Sequence, residues 1–305
     1  MKTALLLIDF QNDYFPGFEG AKWPLNKTEE AAQQAVKLLT EFRRQGLPVI
    51  HVRHQGAEDA PFFVAGTAGM EIHEWLAPTS GETVITKQQI NSFLDTELHQ
   101  TLKALDVSSL VIVGAMSHMC IDAVVRAAAD MGYQCSVAHD ACTTRDQEFN
   151  GLTVTAEQVH AVFMASLAFA YATVNSTDSL VEELKQERLV AAAKAASQQW
   201  QKAFNAGDAE GCADQYQADA VMNAIPFGRY EGREDILSFW RNLIKDGFKD
   251  VEYISPSFEV LDTKRVLLKS QWKMNNAGGV IHKELWVLQE DGSCKLAEDD
   301  FEVIS

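Results

Sequence analysis

The 305-residue chain has few basic residues, no closely spaced pair of cysteines and no long apolar run. Its 26 lysines and arginines are outnumbered by 43 aspartates and glutamates, and the net charge of −17 disfavours nucleic acid and membrane surfaces as partners. Five cysteines without any C-x-x-C spacing argue against a zinc ribbon or disulfide framework and indicate reduced thiols. No stretch approaches the roughly 18 apolar residues that span a bilayer.

The first apolar run, Ala4–Ile8, ends at Asp9 and is too short for the hydrophobic region of a signal peptide. Together with the cysteine usage, it predicts a cytoplasmic protein. The length predicts two domains, at about 150 residues each. We place them at residues 1–184 and 185–305, and expect a short helical junction because no Pro/Gly-rich linker separates them.

Short continuous apolar runs alternate with helical patterns through the first 180 residues, which indicates stacked βαβ units. Continuous runs are typical of strands that are covered on both faces, as in a parallel sheet. The pattern predicts an α/β fold with a doubly wound, mostly parallel six-stranded sheet of Rossmann type. The predicted strands are Ala4–Ile8, Pro48–Val52, Thr83–Thr86, Leu110–Gly114, Gln134–Ala138 and Tyr171–Val174, and the predicted helices are Lys27–Gln45, Asp95–Leu105, Cys120–Met131 and Ala156–Ala170.

Beyond Val174 the pattern changes to helices followed by strands. Helical spacing predicts one or two helices across Thr177–Phe204 and another from about Arg233 to Lys245. Four strand-like segments separated by turn signals then predict an antiparallel meander, and so a smaller α+β domain. These segments are Val251–Val260, Arg265–Met274, Val280–Gln289 and Cys294–Val303.

Reactive side chains follow three of the predicted parallel strands. Asp9 comes directly after the first strand, Lys87 after the third, and Cys120 follows the fourth at the start of a helix, where a thiolate is favoured. Ligands of open α/β sheets bind beyond the carboxyl ends of the strands, so we expect these side chains to converge. Together they can carry out nucleophilic attack on a carbonyl carbon. Taken singly, such residues are more often a turn cap, a surface charge and a packed small side chain than catalytic groups.

Three motifs surround these residues: Leu5-Leu-Leu-Ile-Asp9-Phe-Gln11-Asn-Asp13-Tyr14, then Val84-Ile-Thr-Lys87 with Asn91-Ser-Phe93, then Gly114-Ala-Met-Ser-His-Met-Cys120. In order and spacing they resemble the three signatures of the isochorismatase-like cysteine hydrolases, over roughly residues 1–180. That superfamily includes nicotinamidases, N-carbamoylsarcosine amidase and streptothricin-type amide hydrolases.

The resemblance implies a catalytic triad of Asp9, Lys87 and Cys120 that cleaves an amide-type C–N bond of a small molecule through a thioester intermediate. Asp9 would be the base that activates Cys120, and Lys87 would hold Asp9 and favour the thiolate. A cis peptide bond is implied at Ala115–Met116. The backbone N–H groups of Met116 and Cys120 would form an oxyanion hole, whose preset donors stabilise the transition state.

The metal-binding Asp-x-His of nicotinamidases is missing, since the corresponding segment reads His51-Val-Arg53-His54. We therefore predict no metal and no cofactor, with His51 and His54 as ligands being the alternative. Enzymes that cleave the vinyl ether of isochorismate typically lack the cysteine, so Cys120 favours C–N hydrolysis. Loop residues expected to shape the substrate pocket are Phe15, Phe62, Phe63 and His118, and loop anchoring is the alternative for the three phenylalanines.

The second domain resembles the SnoaL-like, NTF2-like cone fold, on fragments such as Trp200-Gln-Lys-Ala-Phe204 and His282-Lys-Glu284-Leu-Trp286. This fold generally encloses an apolar pocket, and a period of two places His282 and Glu284 on one strand face. They could line a second small-molecule site together with Asp219, Asn223 and Trp240.

The second domain also leaves two alternatives to hydrolysis open. In one, isomerase or dehydratase chemistry takes place in the NTF2-like domain. In the other, the chain is a small-molecule-binding or sensor protein. Because both domain types commonly self-associate, we expect a homo-oligomer.

Overall fold

The computed structural model describes residues 2–305, and Met1 of the predicted first domain lies outside the described residues. The chain forms two compact units, one ending at Glu182 and the other spanning Glu183–Ser305. Within residues 2–305, no helix combines the length and the apolar character needed to cross a membrane.

The N-terminal unit is built on a parallel sheet. Its strands are β1 (Lys2–Ile8), β2 (Val49–His54), β3 (Thr83–Lys87), β4 (Val107–Ala115), β5 (Gln134–Thr143), β6 (Gln147–Phe149), β7 (Leu152–Val154) and β8 (Thr173–Asn175). Six of them form one sheet in the order β3-β2-β1-β4-β5-β8 with every pair parallel, which confirms the predicted doubly wound sheet. Strand order reverses between β1 and β4, where such sheets form a crevice.

Four helices connect the strands of this sheet: α1 (Thr28–Gln45), α2 (Leu98–Ala104), α3 (Asp122–Asp130) and α4 (Ala156–Ala170). α1 ends as predicted at Gly46, which has a φ of 65° and donates its N–H to the last turn. α2 begins later than predicted because Asp95 has a φ of 57°, outside the right-handed helical region. The predicted helix from Cys120 starts instead as a π-helical turn, Ser117–Ile121, that leads into α3.

The continuous apolar sequence of β1 is explained by its burial. Residues Ala4–Ile8 are all at most 2% exposed, as expected for a central strand covered on both faces. Burying a side chain such as leucine contributes roughly 1.5–3 kcal/mol, so this strand anchors the sheet. The residue that follows it, Asp9, is therefore held at a fixed point of the crevice.

The C-terminal unit places helices against a six-stranded sheet. The helices are α5 (Thr177–Asn205), which contains both Glu182 and Glu183, α6 (Ala209–Ala213) and α7 (Gly232–Lys245). The strands are β9 (Tyr216–Ile225), β10 (Gly228–Glu231), β11 (Glu252–Val260), β12 (Arg265–Lys273), β13 (Gly278–Leu288) and β14 (Cys294–Val303), in the order β10-β9-β14-β13-β12-β11.

The four predicted strands form the antiparallel part of this sheet, β11 to β14, but the sheet is mixed. β9 and β10 were not predicted, and β9 pairs with β14 in parallel. The buried positions of β9 are Tyr216, Ala220, Met222 and Ala224, and after Tyr216 none of them has the branched or aromatic side chain that signals a strand.

The expectation that His282 and Glu284 share a strand face is wrong. The register of β13 against β14 shifts between Ile281 and Lys283, and this bulge interrupts the alternation. Glu284 is buried, whereas His282 is exposed and lies 3.0 Å from Glu302. Of the other residues suggested for a second site, Trp240 is buried and Asp219 is exposed.

Candidate active site

The carboxyl ends of the parallel strands hold the three side chains that were predicted to converge. Asp9 directly follows β1, Lys87 is the last residue of β3, and Cys120 lies in the π-helical turn after β4. Because the strands are parallel, these ends lie at the same edge of the sheet. Asp9 has a φ of 55°, a left-handed conformation that is uncommon for a residue with a side chain and is enriched at functional sites.

The ammonium group of Lys87 contacts both other side chains. Its Nζ lies 3.0 Å from Asp9 Oδ2 and donates to Cys120 Sγ at 3.2 Å and to the carbonyl oxygen of Gln89 at 3.1 Å. Asp9, Lys87 and Cys120 are 0%, 1% and 4% exposed, so water screens their interactions little. The structure therefore brings three distant residues into one buried cluster, as the sequence predicted.

The pKa of the Cys120 thiol is raised in this cluster. Burial, together with the nearby charge of Asp9, raises the pKa of Cys120 to about 12, although Lys87 acts in the opposite direction. Burial opposes the charge of Lys87, but Asp9 and Cys120 outweigh it and raise the pKa of the lysine. Burial and the carboxyl group of Asp9 therefore oppose the preference for a thiolate that the start of a helix provides.

The turn that carries Cys120 begins with a cis peptide bond between Ala115 and Met116, as the resemblance implied. Gly114 precedes this bond with a φ of 135°. A Cβ atom at Gly114 would lie 2.0 Å from the carbonyl oxygen of Ile8. Only glycine therefore allows the end of β4 to approach the end of β1 this closely.

Backbone hydrogen bonds fold this turn back onto its first residue. The carbonyl oxygen of Met116 accepts from the N–H of Met119 at 3.0 Å and from the N–H of Ile121 at 3.3 Å. Cys120 lies in the chain between Met119 and Ile121, whose N–H groups both donate to this carbonyl oxygen. The role of the Met116 and Cys120 amides as an oxyanion hole remains a prediction.

A fourth side chain, His54, contacts the cluster. Its Nδ1 lies 3.3 Å from Lys87 Nζ, and burial together with the charge of Lys87 lowers the pKa of His54. Gln11 holds the His54 backbone, since its side chain accepts from the His54 N–H at 2.7 Å and donates to the His54 carbonyl oxygen at 2.8 Å. Gln11 is part of the first motif, whereas no sequence signal linked His54 to Lys87.

Neither histidine that was considered as a metal ligand lies in a metal-binding cluster. His51 is 1% exposed, and its Nε2 lies 3.0 Å from Glu82 Oε2. Across residues 2–305, no three or more His, Cys, Asp or Glu side chains are grouped so as to hold a metal ion. His51 and His54 instead serve as hydrogen-bonding partners of Glu82 and Lys87.

The four predicted substrate-shaping side chains differ in their surroundings. Phe15 is fully buried and stacks on His73, with ring centroids 3.7 Å apart. Phe63 is also fully buried and packs edge-on against the half-buried Phe62, at 4.9 Å between centroids. His118 is half-buried and hydrogen-bonds to a threonine hydroxyl at 2.6 Å. Contact with a substrate remains a prediction for all four.

Tyr14 lies beside the cluster, although the sequence reasoning gave it no role. It is 2% exposed, and burial, followed by the charge of Asp9, raises its pKa well above the ordinary value. Its ring packs 4.5 Å from that of Phe63. The sequence signal that could have identified Tyr14 as part of the site is its position at the end of the first motif.

Comparison with known proteins agrees with this architecture. The isochorismatase domain model matches residues 3–179, more than half of the chain, and a SnoaL-like domain model matches residues 197–280. The chain belongs to the isochorismatase family. Its two domains are therefore the isochorismatase and SnoaL-like types that the sequence motifs indicated.

Relatives cover the N-terminal part of the chain. The uncharacterized isochorismatase family protein YddQ of Bacillus subtilis is 49% identical over 183 residues, 60% of this chain and 100% of that protein. A crystal structure of a proposed isochorismatase hydrolase from Oleispira antarctica is 61% identical with a TM-score of 0.59, and covers 59% of this chain and 96% of that one. Streptothricin hydrolase of Streptomyces noursei is 32% identical over 146 residues, 47% of this chain and 50% of that enzyme.

Proposed function

We propose that the N-terminal unit hydrolyses an amide-type C–N bond of a small molecule, with Cys120 as the nucleophile. The observation that carries the proposal is the buried contact of Lys87 Nζ with Asp9 Oδ2 at 3.0 Å and with Cys120 Sγ at 3.2 Å. A nucleophile beside an acid–base group and a fixed cation is the arrangement that covalent catalysis requires.

In the first half of the reaction, the thiol proton of Cys120 moves to Asp9 as the sulfur attacks the carbonyl carbon. The carbonyl π electrons move to the oxygen and form a tetrahedral oxyanion. The raised pKa of Cys120 makes a base necessary, because little free thiolate exists at neutral pH. Once Asp9 is neutral, Lys87 is the charge next to the sulfur and stabilises the anion that develops there.

The oxyanion would accept hydrogen bonds from the N–H groups of Met116 and Cys120. When it collapses, the C–N bond breaks and the leaving nitrogen takes the proton from Asp9. Water then attacks the thioester and gives a proton to Asp9. The C–S bond breaks, the sulfur recovers that proton, and a carboxylic acid product leaves.

Family membership and the type of nucleophile support this proposal. The family includes the streptothricin hydrolase named above, which supports hydrolysis as the class of reaction. The cysteine favours C–N cleavage, because family members that cleave the vinyl ether of isochorismate typically lack it. Phe62 and His118 are the candidates to contact the substrate, since both are only half-buried.

The test is a screen of amides, ureides and lactams for released amine or ammonia, using the full chain. We expect turnover of at least one class, and we expect Cys120→Ala to lower kcat by at least about 10³-fold. Cys135→Ala is the matched control, because Cys135 is another buried thiol, and it has no charged partner. Activity that survives Cys120→Ala would overturn the proposal.

A further inference from the structure

The N-terminal unit has a cleft among the first two turns of α1, the first turns of α4 and the end of β5. Its volume is about 340 Å³, within the range of roughly 300–1,000 Å³ that is typical of small-molecule sites. Ala31, Cys142 and Ala156 give the cleft an apolar part. None of the three proposed catalytic residues lines it, so it is a site separate from the Cys120 cluster.

The walls of the cleft carry more negative than positive charge. Of the residues that the structure describes, those that line it include Glu30, Asp140 and Glu157 and one basic side chain, that of Lys27. Lys27 Nζ lies 2.7 Å from Glu157 Oε1, so this lysine is already paired. The carboxylates of Glu30 and Asp140 are therefore in excess, and they favour a cationic ligand.

Asp140 is held in place and keeps one oxygen for a ligand. Its Oδ1 accepts from the N–H group of Thr177 at 2.7 Å and from the Thr177 hydroxyl at 2.8 Å. Because Thr177 is fully buried, these two hydrogen bonds fix the orientation of the carboxyl group. The second oxygen, Oδ2, is the acceptor that remains.

His160 contributes a further acceptor to the cleft. Ser117 Oγ donates its one hydrogen to the carbonyl oxygen of Thr143 at 3.2 Å, so it accepts from the N–H of His160 Nδ1 at 2.8 Å. Burial, followed by the charge of His139, lowers the pKa of His160, and the ring is therefore neutral near neutral pH. In a neutral imidazole with its hydrogen on Nδ1, the other nitrogen, Nε2, is an acceptor.

Gln34 lines the cleft with an acceptor that has no donor. Its Oε1 atom is buried and has no hydrogen-bond partner among residues 2–305. A buried polar atom without a partner is rare in folded proteins and calls for an explanation. A ligand that donates a hydrogen bond from within the cleft would supply the missing partner.

We propose that this cleft binds a small aliphatic amine in its ammonium form, whose N–H groups donate to the acceptors on Gln34, Asp140 and His160. An ammonium group has three donors and no acceptor, which matches walls whose available groups are acceptors. An anion would be repelled by Glu30 and Asp140, and a neutral molecule would not balance their charge. The apolar part of the cleft accommodates the hydrocarbon chain. This site does not depend on the proposed hydrolysis by Cys120.

The test uses the full chain with ¹³C,¹⁵N-labelled histidine, in which each of the eight histidines gives one set of imidazole resonances in the NMR spectrum. The probe is n-butylammonium, and 1-butanol and butyrate are the neutral and anionic probes with the same number of carbon atoms. At about pH 7.5, where an ordinary histidine is neutral, we expect n-butylammonium to shift the His139 and His160 resonances in a saturable way. The resonances of the exposed His282, in the other unit, should not move.

Gln34→Leu removes one acceptor and keeps a side chain of similar size, and we expect it to weaken n-butylammonium binding about threefold to tenfold. Gln33→Leu is the matched control, because Gln33 is the neighbouring residue on α1, is exposed and does not line the cleft. Equal affinities of the two variants would overturn the role of Gln34.

The two other probes test the choice of a cation. Binding of 1-butanol or butyrate to the cleft as tightly as n-butylammonium would overturn an ammonium ligand. If n-butylammonium does not move the His139 and His160 resonances of the unmodified chain, the site itself is refuted, whether or not the variants fold.

Discussion

His54 Nδ1 and Lys87 Nζ are 3.3 Å apart inside the buried cluster, so a neutral imidazole accepts a hydrogen bond from the proposed catalytic cation. Lysine has three N–H bonds, and His54 competes for them with Asp9, Cys120 and the carbonyl oxygen of Gln89, all within 3.2 Å of Nζ. Protonation of His54 would place two cations next to each other. We therefore expect His54 to position Lys87 in its neutral form.

Substitution of His54 tests this positioning role. We expect His54→Leu to lower kcat/KM about tenfold, because the lysine loses an acceptor that holds its ammonium group. His54→Gln keeps an acceptor and should retain most of the activity. Because glutamine does not titrate, the His54→Gln variant should also lose less activity than the unmodified enzyme between about pH 7 and about pH 5.5. Profiles of kcat/KM against pH measure both effects, and superimposable profiles would contradict them.

Asp9→Asn should make the Cys120 thiol easier to ionise and should at the same time reduce catalysis. Asp9 helps to raise the pKa of Cys120, and without this carboxyl group the thiolate becomes the counter-ion of Lys87. We therefore expect the thiol to ionise at a lower pH in this variant, although hydrolysis falls at least about 10³-fold for lack of a base. Ultraviolet absorbance of the thiolate, followed against pH, gives the first result.

The double variant Asp9→Asn/Cys120→Ala is the control, because it removes the thiolate signal and leaves the other four buried cysteines in place. In the unmodified chain, labelling of Cys120 by iodoacetamide should be slow at neutral pH and faster in Asp9→Asn. A thiol that ionises at the same pH with and without the carboxyl group would show that Asp9 does not control it.

The convergence of the site could be predicted because it follows from topology. In a parallel sheet, residues that come directly after strands lie at one edge, whatever their separation in the chain, so Asp9, Lys87 and Cys120 could be grouped without coordinates. The protonation state of Cys120 could not be predicted from the sequence, because it depends on burial and on the distance to Asp9. The contact of His54 with Lys87 depends likewise on side-chain direction at the end of β2, which residue types do not determine.

In the C-terminal unit, strand β9 and the bulge near His282 could not be predicted from the sequence. Strands β11 to β14 have strong apolar patterns and were predicted, whereas β9 faces inward through small residues such as Ala220 and Ala224. Because of a single bulge near His282, that residue lies at the surface, whereas Glu284 is buried. Local periodicity cannot reveal a bulge, because the extra residue is accommodated by pairing with a distant strand.

Gly114 is a position where any side chain should be costly. The backbone has a φ of 135°, and a Cβ atom would lie 2.0 Å from the Ile8 carbonyl oxygen, so β4 would have to move away from β1. We expect Gly114→Ala to lower the free energy of unfolding by about 3 kcal/mol, as measured with urea. Gly132→Ala is the control: Gly132 also has a positive φ, 90°, but no atom within 4 Å of the added group. Its cost should be about 1 kcal/mol, and equal costs would rule out the contact with Ile8 as the cause.

Glu284 should make the stability of the chain depend on pH in the direction opposite to that of an ordinary salt-bridged acid. Its pKa is raised by burial and by Asp299, so the folded chain holds a proton that the unfolded chain releases above about pH 4.3. The stabilisation is complete below that pH and is lost as the pH rises toward the raised pKa. We expect Glu284→Gln to flatten this decline by about 1–3 kcal/mol between about pH 5 and about pH 8, in urea unfolding of both chains. Glu298→Gln, at an exposed ion pair with Lys283, should leave the slope unchanged. A Glu284→Gln chain with the same slope as the unmodified one would show that Glu284 is ionised in the fold.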